Sequence, residues 1–287
     1  MNPTLVEVVT HRANAHIDPS LHIWGWEVPV YLFLGGVVAG VMVLTAALAL
    51  RRGDRPASAA LRWMPLVGVV ALSLGMGALF LDLEYKRHVY RFYTSFEWTS
   101  PMSWGSWILL LVYPALLLFT VGNLTAAQRE SVCGWRLLRP VRRLVVGLFD
   151  LADRFRRPIL WTTLVVGVGL GAYTGLLLGT MVARPAWNNG VMAPLFLVSG
   201  ISTGAALMML FRLDAREAHL LVRWDIAAIA TELVLLAVLL LSWSSGDAMS
   251  QEAANAFLVG SWTPWFWSLV VLGGLLVPLV LELLEIG

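Results

Sequence analysis

The residues able to do chemistry are few, and most sit where a charge is costly. Glu232 lies in the middle of the apolar run 229–236. A carboxylate there is paired, wetted or protonated. Two readings follow with equal weight: a proton relay, or a neutral acid hydrogen-bonded to a neighbouring helix. Asp225, two residues from Arg223, reads either as that arginine's ion-pair partner or as a second acid on the same proton path. Asp82 closes another apolar run. It is either a helix-end acid pairing with Lys86 four residues on, or a hydrogen-bonding and proton-accepting group at the lip of a pocket. Glu27 stands in a similar place, flanked by Trp24, Trp26 and Pro29. Tyr173 is the one tyrosine of its run, and a buried tyrosine hydroxyl normally finds a partner. Arg184 is the single charge of a short connector that also carries Trp187.

The stretch Asp82–Trp107 concentrates three of the six tyrosines and three of the fourteen tryptophans, with Glu84, Lys86, Arg87, His88, Arg91 and Glu97 among them. Amphipathic rings settle at a membrane–water boundary. The stretch is therefore either an interfacial connector or the mouth of a binding site.

The histidines inform by where they are not. His11, His16, His22, His88 and His219 all fall outside or at the edge of the apolar runs, and Cys133 is the sole cysteine. A b-type haem needs an axial histidine inside a bundle and an iron–sulfur cluster needs several thiolates, so this protein offers ligands for neither. Redox chemistry here would need a dissolved organic carrier and a second subunit as electron partner.

What must position these residues is a membrane bundle. At 287 residues, 59% hydrophobic and 13% charged, the sequence holds about half the charge of a soluble domain. A spanning helix needs about 20 mostly apolar residues. Seven runs qualify: Val28–Leu50, Trp63–Leu83, Trp104–Val121, Pro158–Val182, Val191–Phe211, Leu220–Trp243 and Trp265–Leu284. The expectation is an all-α bundle of seven transmembrane helices forming one unit over residues 1–287. A first helix group would cover 1–182 and a second 183–287. The N-terminus lacks the features of a removable signal peptide.

Fifteen of the twenty Lys and Arg fall in the connectors after runs one, three and five or, for Arg223, just inside the run that follows. Cytoplasmic loops hold such an excess, which puts the N-terminus and the Asp82–Trp107 connector outside. In the long inner connector, Val141, Leu144, Val145, Leu148, Phe149, Ala152 and Phe155 share one helical face, the pattern of an amphipathic helix lying on the inner surface. Gly167, Gly171, Gly175 and Gly179 recur at every fourth position of run four. Gly36-x-x-x-Gly40 and Gly200-x-x-x-Gly204 repeat the spacing in runs one and five. These are close-packing faces. Pro29–Gly35 and Pro194–Gly200 are alike enough to suggest a weak internal repeat of runs one and five.

Several blocks together resemble the NrfD-like membrane subunits of polysulfide reductase type. They are Trp26–Gly36 with Ala39-Gly40, Leu-Asp-Leu at 81–83, Ser-Pro-Met-Ser-Trp-Gly-Ser-Trp at 100–107 and Tyr-Thr-Gly-Leu-Leu-Leu-Gly at 173–179. Ala-Arg-Pro-Ala-Trp-Asn at 183–188, the run 196–204 and the Glu232 helix complete the set. The resemblance spans nearly the whole sequence in order. It implies a subunit of the bacterial inner membrane that holds no metal of its own and exchanges electrons with quinone or quinol, menaquinone or ubiquinone. It also implies docking on a ferredoxin-like iron–sulfur subunit, and through it on a molybdopterin or multihaem cytochrome catalytic subunit. Carried over by position, Asp82, Tyr173, Glu27 and Tyr31 become quinone contacts, with Arg184 and Trp187 beside them. Lys86, Arg87, His88 and Arg91 become the docking rim. Some relatives use histidine near Glu27 and Tyr31, and this sequence has none there. The family bundle is expected to hold eight helices or more, one beyond the seven runs. A proton path through Glu232 and Asp225 is a further expectation. Two rivals remain: a passive anchor for a redox enzyme, and a small-solute or ion transporter, which would also use glycine-rich helices and an intramembrane acid.

Overall fold

A computed structural model describes residues 25–53, 57–135, 140–182 and 184–286; His11, Arg12, His16, His22, Trp24, Arg55, Arg136, Arg139 and Ala183 lie outside the described residues. Among the described residues there is no strand. The helices are α1 (Glu27–Arg52), α2 (Ala59–Asp82), α3 (Arg91–Thr94), α4 (Pro101–Gly122), α5 (Ala126–Gly134), α6 (Arg142–Arg154), α7 (Arg156–Gly179), α8 (Met192–Met209), α9 (Ala215–Ser244), α10 (Ala248–Leu258), α11 (Thr263–Trp265) and α12 (Val277–Ile286). A π-helical stretch, Phe266–Leu276, fuses α11 and α12 into one rod. Seven of these units, α1, α2, α4, α7, α8, α9 and the rod Thr263–Glu285, are long and apolar enough to cross a membrane. This is an all-α integral membrane protein, and the seven expected runs match the seven spans found among the described residues.

The helices overrun the apolar runs where polar caps start them earlier. Ser58 accepts the Leu61 N–H at 3.2 Å, so α2 starts four residues before Trp63. Asp214 and Glu217 form a capping box that starts α9 at Ala215, five residues before Leu220.

The first group is a ring of four. α1 packs on α2, α2 on α4, α4 on α7 and α7 back on α1, while α8 covers α1 and α7, α9 packs on α8, and α12 on α9. α1 is the axis, with Val38, Ala39, Val41, Met42 and Ala46 fully buried. Lipid tails offer no hydrophobic drive for helices to associate, so close backbone approach does that work. A Cβ added at Gly40 would run into the Gly200 carbonyl, and one at Gly204 would sit 2.7 Å from the Gly40 carbonyl carbon. The two glycine pairs thus meet each other across the α1–α8 seam. In α7, Gly167 faces Met42 and Ala39, Gly171 faces Leu197 and Ala39, and Gly175 faces Met192 and Ala193. That stripe is the close-packing face the spacing indicates.

At the end of the bundle opposite the Asp82–Trp107 connector, α6 packs its Phe149 and Ala152 against the protein and leaves Leu144, Leu148 and Leu151 exposed. Arg129 of α5 grips Asp153 through two bonds of 2.5 and 2.8 Å, with its guanidinium 5.2 Å from the Phe149 ring.

Candidate functional site

The connector between α2 and α4 is a folded cap. Pro101 takes the first position of α4, where its missing N–H costs nothing. One turn on, the Ser103 hydroxyl accepts the Glu97 N–H at 3.0 Å, and the Ser106 hydroxyl donates to the Phe92 carbonyl at 2.8 Å. The Trp104 indole N–H donates to the Trp98 carbonyl at 3.0 Å. Phe96 stands edge-on to Trp98, Trp104 and Trp107, with centroids 4.8, 5.3 and 5.6 Å away. Such pairs each contribute about 0.5–1.5 kcal/mol beyond the area they bury. The block Ser100–Trp107 is therefore a fastening device that ties the connector over the ring of four helices.

Beneath the cap lies a cavity of about 550 Å³. Tyr31 of α1, Asp82 at the end of α2 and Tyr173 of α7 all contribute to its wall, although 142 residues separate the two tyrosines. The two tyrosine hydroxyls are paired with one another. Gly105 explains how Tyr173 reaches this place: a Cβ there would overlap the Tyr173 ring, so only glycine leaves room for it. The remaining wall is mostly apolar, including Leu32, Leu79, Phe80, Met102 and Leu177. Tyr93, on the cap, points its ring into the same space. Its burial, with Tyr113 nearby, holds its proton on above the ordinary phenol range. A cavity with apolar walls, the paired Tyr31 and Tyr173 hydroxyls and, at its cap end, the carboxylates of Asp82 and Glu84 suits a flat, largely apolar molecule carrying oxygen functions.

The other expected contacts stand apart from this wall. Glu27 is the first residue of α1, half-buried, with its carboxylate folded back toward Gly25. Arg184 is exposed and Trp187 half-buried in the connector from α7 to α8, where the Trp187 N–H closes a turn onto the Arg184 carbonyl at 2.9 Å. None of the three lines the cavity. Lys86, Arg87 and His88 form a 3-10 turn and Arg91 begins α3; all four are exposed on top of the cap, next to a surface groove that His88 and Arg91 help to line.

A second polar group lies in the other half of the molecule. Asp225 and Glu232, seven residues apart, share one face of α9 and are 3% and 8% exposed. Glu232 meets Ser199 of α8; Asp225 meets Ser202 of α8 and Glu282 of α12. Asp225 therefore turns away from Arg223 toward another acid, which corrects the ion pair read from their spacing. Asp225 and Glu282 thus bring two buried carboxyls together between α9 and α12. Glu282 is a residue that reading the sequence passed over. The rule that marks Glu232, an ionisable group inside an apolar run, marks it equally.

The sequence compares closely with known proteins along its length. The family described as "Polysulphide reductase, NrfD" matches residues 14–286. Protein NrfD of Escherichia coli is 32% identical over 276 residues, covering 91% of this protein and 84% of that one. The NrfD homolog of Haemophilus influenzae is 28% identical over 273 residues, covering 91% and 83%. The third chain of the polysulfide reductase of Wolinella succinogenes is 28% identical over the same length, with the same coverage. With the match running through the capped ring of four and on into the last helix, this protein belongs to the NrfD/polysulphide reductase family.

Proposed function

We propose that this protein is the quinone-reactive membrane subunit of a multisubunit oxidoreductase. In this reading it passes electrons between the quinol pool and an iron–sulfur partner docked over the Asp82–Trp107 cap. The observation that carries the reading is the cavity under the cap, where Tyr31, Tyr173 and Asp82 face an apolar space. Membership of a family that includes a subunit of a polysulfide reductase supports the oxidoreductase assembly.

The chemistry follows from what a quinol must lose. Two electrons leave together with two protons, so the site needs a proton acceptor at a head-group oxygen and hydrogen-bond partners that fix the ring. Asp82, at the water-facing end of α2, takes the proton of the nearer oxygen and passes it to the outside. The second proton leaves the other oxygen through the Tyr31–Tyr173 hydroxyls and goes out by way of Asp82 once that carboxylate is free again. The Tyr31–Tyr173 pair holds the other oxygen, one hydroxyl donating while the second keeps its partner oriented. Apolar walls hold the ring and exclude water, which keeps the intermediate from side reactions. The electrons leave outward, over the basic rim of Lys86, Arg87, His88 and Arg91, to a ferredoxin-like cluster and on to a molybdopterin or multihaem catalytic subunit. Quinone reduction runs the same steps backwards. The charge count along the sequence puts the cap outside the bacterial inner membrane, and Glu27, Arg184 and Trp187 then form the outer rim around the cavity rather than its wall.

The Glu232, Asp225 and Glu282 group lies in the second helix group and would serve a separate step, proton exchange with the inner side. If Glu232→Gln leaves the protons taken up and released per quinol unchanged, that step is absent.

The decisive experiment is quinol oxidation by the intact complex, wild type against Asp82→Asn. We expect turnover to fall by two orders of magnitude or more, the scale of a lost general base, while the clusters of the partner still reduce with dithionite. Unchanged turnover in this variant and in Tyr173→Phe would make the protein a passive anchor. Solute uptake without any dependence on quinone would make it a transporter.

A further inference from the structure

The four seams of the first helix group differ at the level of the cavity. The α1–α2 seam is shut: a Cβ on Gly75 would lie 3.4 Å from Leu34 and 3.5 Å from the Tyr31 ring. The α1–α7 seam is bridged by the Tyr31–Tyr173 pair, and the α4–α7 seam is filled by the Tyr173 ring lying on Gly105. The α2–α4 seam behaves otherwise. It is tight lower down, where a Cβ on Gly68 would meet the Leu116 methyls at 3.4 and 3.6 Å. One further contact, Ser73 to Tyr113 at 3.3 Å between hydroxyl oxygens, bridges it higher up. Above that bridge the helices part. Gly77 has nothing within 4 Å of where its Cβ would be, and Phe80 of α2 and Met102 of α4 are 44% and 49% exposed. All three line the cavity. In a bilayer that exposure is exposure to lipid.

Resting on the quinone reading of the cavity, we infer that the α2–α4 gap is a side portal through which a lipid-soluble quinol reaches the head-group site and in which its isoprenoid tail stays. The gap is suited to a tail. Its walls are mostly hydrocarbon and thioether, and of the hydroxyls beside it Ser106 is committed to the Phe92 carbonyl at 2.8 Å and Ser73 and Tyr113 to one another. Met76 and Met102 supply flexible, polarizable surface that adapts to a branched chain. The Ser73–Tyr113 bridge sets the floor and the cap sets the roof, so the tail leaves sideways at one height.

The test compares two quinols on the intact complex in lipid nanodiscs: one with a full prenyl tail and one with the same head group and no tail. Three variants are measured beside wild type. Gly77→Trp and Met102→Trp each fill the gap from opposite walls. Leu74→Trp places the same bulk on the lipid face of α2, away from the gap, where Leu74 is already 64% exposed. We expect each gap variant to lower the ratio of kcat/KM for the tailed over the tail-less quinol at least tenfold, and Leu74→Trp to leave that ratio at the wild-type value. A ratio unchanged in both gap variants, or lowered equally by Leu74→Trp, would overturn the portal and leave the quinone site standing. Wild type oxidising neither quinol would overturn the quinone reading itself. Should one gap variant fail to assemble, the other, from the opposite wall, still decides.

Discussion

Gly105 offers a perturbation whose sign the structure determines. In an exposed helix, Gly→Ala stabilises by about 0.8–1 kcal/mol, because alanine loses less backbone freedom. At position 105 the new Cβ would fall within the ring of Tyr173, a side chain only 7% exposed and paired with Tyr31. Carbon atoms rest about 3.5–4 Å apart, so the ring has to withdraw by more than an ångström, and the pairing with Tyr31 goes with it. Overpacking costs about 1–3 kcal/mol, and a lost hydrogen bond about 1 kcal/mol. Less the helix-propensity gain, Gly105→Ala should destabilise by about 1–3 kcal/mol. Where Tyr173 is already alanine, the clash is gone and the same substitution should stabilise by up to about 1 kcal/mol. Reversible denaturation in mixed micelles, run on the four members of this double-mutant cycle, measures the difference. A coupling of about 2 kcal/mol or more between the two sites is expected. Additivity within about 0.5 kcal/mol, the value for independent sites, would refute the role given to Gly105. The same variants should show the quinol KM rising with Gly105→Ala in the wild-type background.

Four further substitutions have outcomes the structure determines. Gly40→Leu should abolish assembly or cost several kcal/mol by thermal unfolding, since its side chain enters the Gly200 backbone and neither helix can yield; Gly77→Ala, which meets nothing, should be neutral or slightly stabilising. Asp153→Asn should loosen α6 by less than about 1 kcal/mol, because the carboxylate is 55% exposed and its pair with Arg129 is screened by water. The Arg129 guanidinium holds the Asp153 carboxyl below the usual carboxylate range, so this small contribution is complete above the unfolded value near pH 4 and fades as pH falls through the lower folded value. Proteolysis of the α5–α6 connection at pH 7 and pH 3 would reveal it. Tyr173→Phe should raise the quinol KM by about fivefold, the equivalent of one net hydrogen bond, with kcat much less affected; an equal loss in kcat would give the hydroxyl a part in the chemical step.

The spans were legible because a membrane imposes one coarse rule, about 20 apolar residues in a row, and the seven helices obey it. Their ends were less so. Hydropathy stops at the first polar residue, whereas Ser58 and the Asp214–Glu217 box start α2 and α9 several residues earlier. The glycine faces of α1, α7 and α8 could be read from spacing, since a repeat of four marks one side of a helix whatever lies opposite. Which face met which could not: that Gly36-x-x-x-Gly40 meets Gly200-x-x-x-Gly204 is a fact of tertiary packing. The same limit applies to the cavity. Asp82 stood out as an acid closing an apolar run, and Tyr173 as the one tyrosine inside its own. The pairing of Tyr173 with Tyr31, the space left by Gly105 and the gap beside Gly77 depend on four helices closing into a ring. Arg184 and Trp187, close to Tyr173 in sequence, are carried off by the turn that follows α7.

The most direct measurement of the central claim is photolabelling of the intact complex in native lipid with an azido-quinone, followed by peptide mapping. Label in the segments holding Leu32, Phe80 and Met102, displaced by excess quinol and lost in Gly105→Ala, is the result expected of a head group held under the cap. Label confined to residues 184–286, or unaffected by competing quinol, would contradict it and place any quinone site in the second helix group.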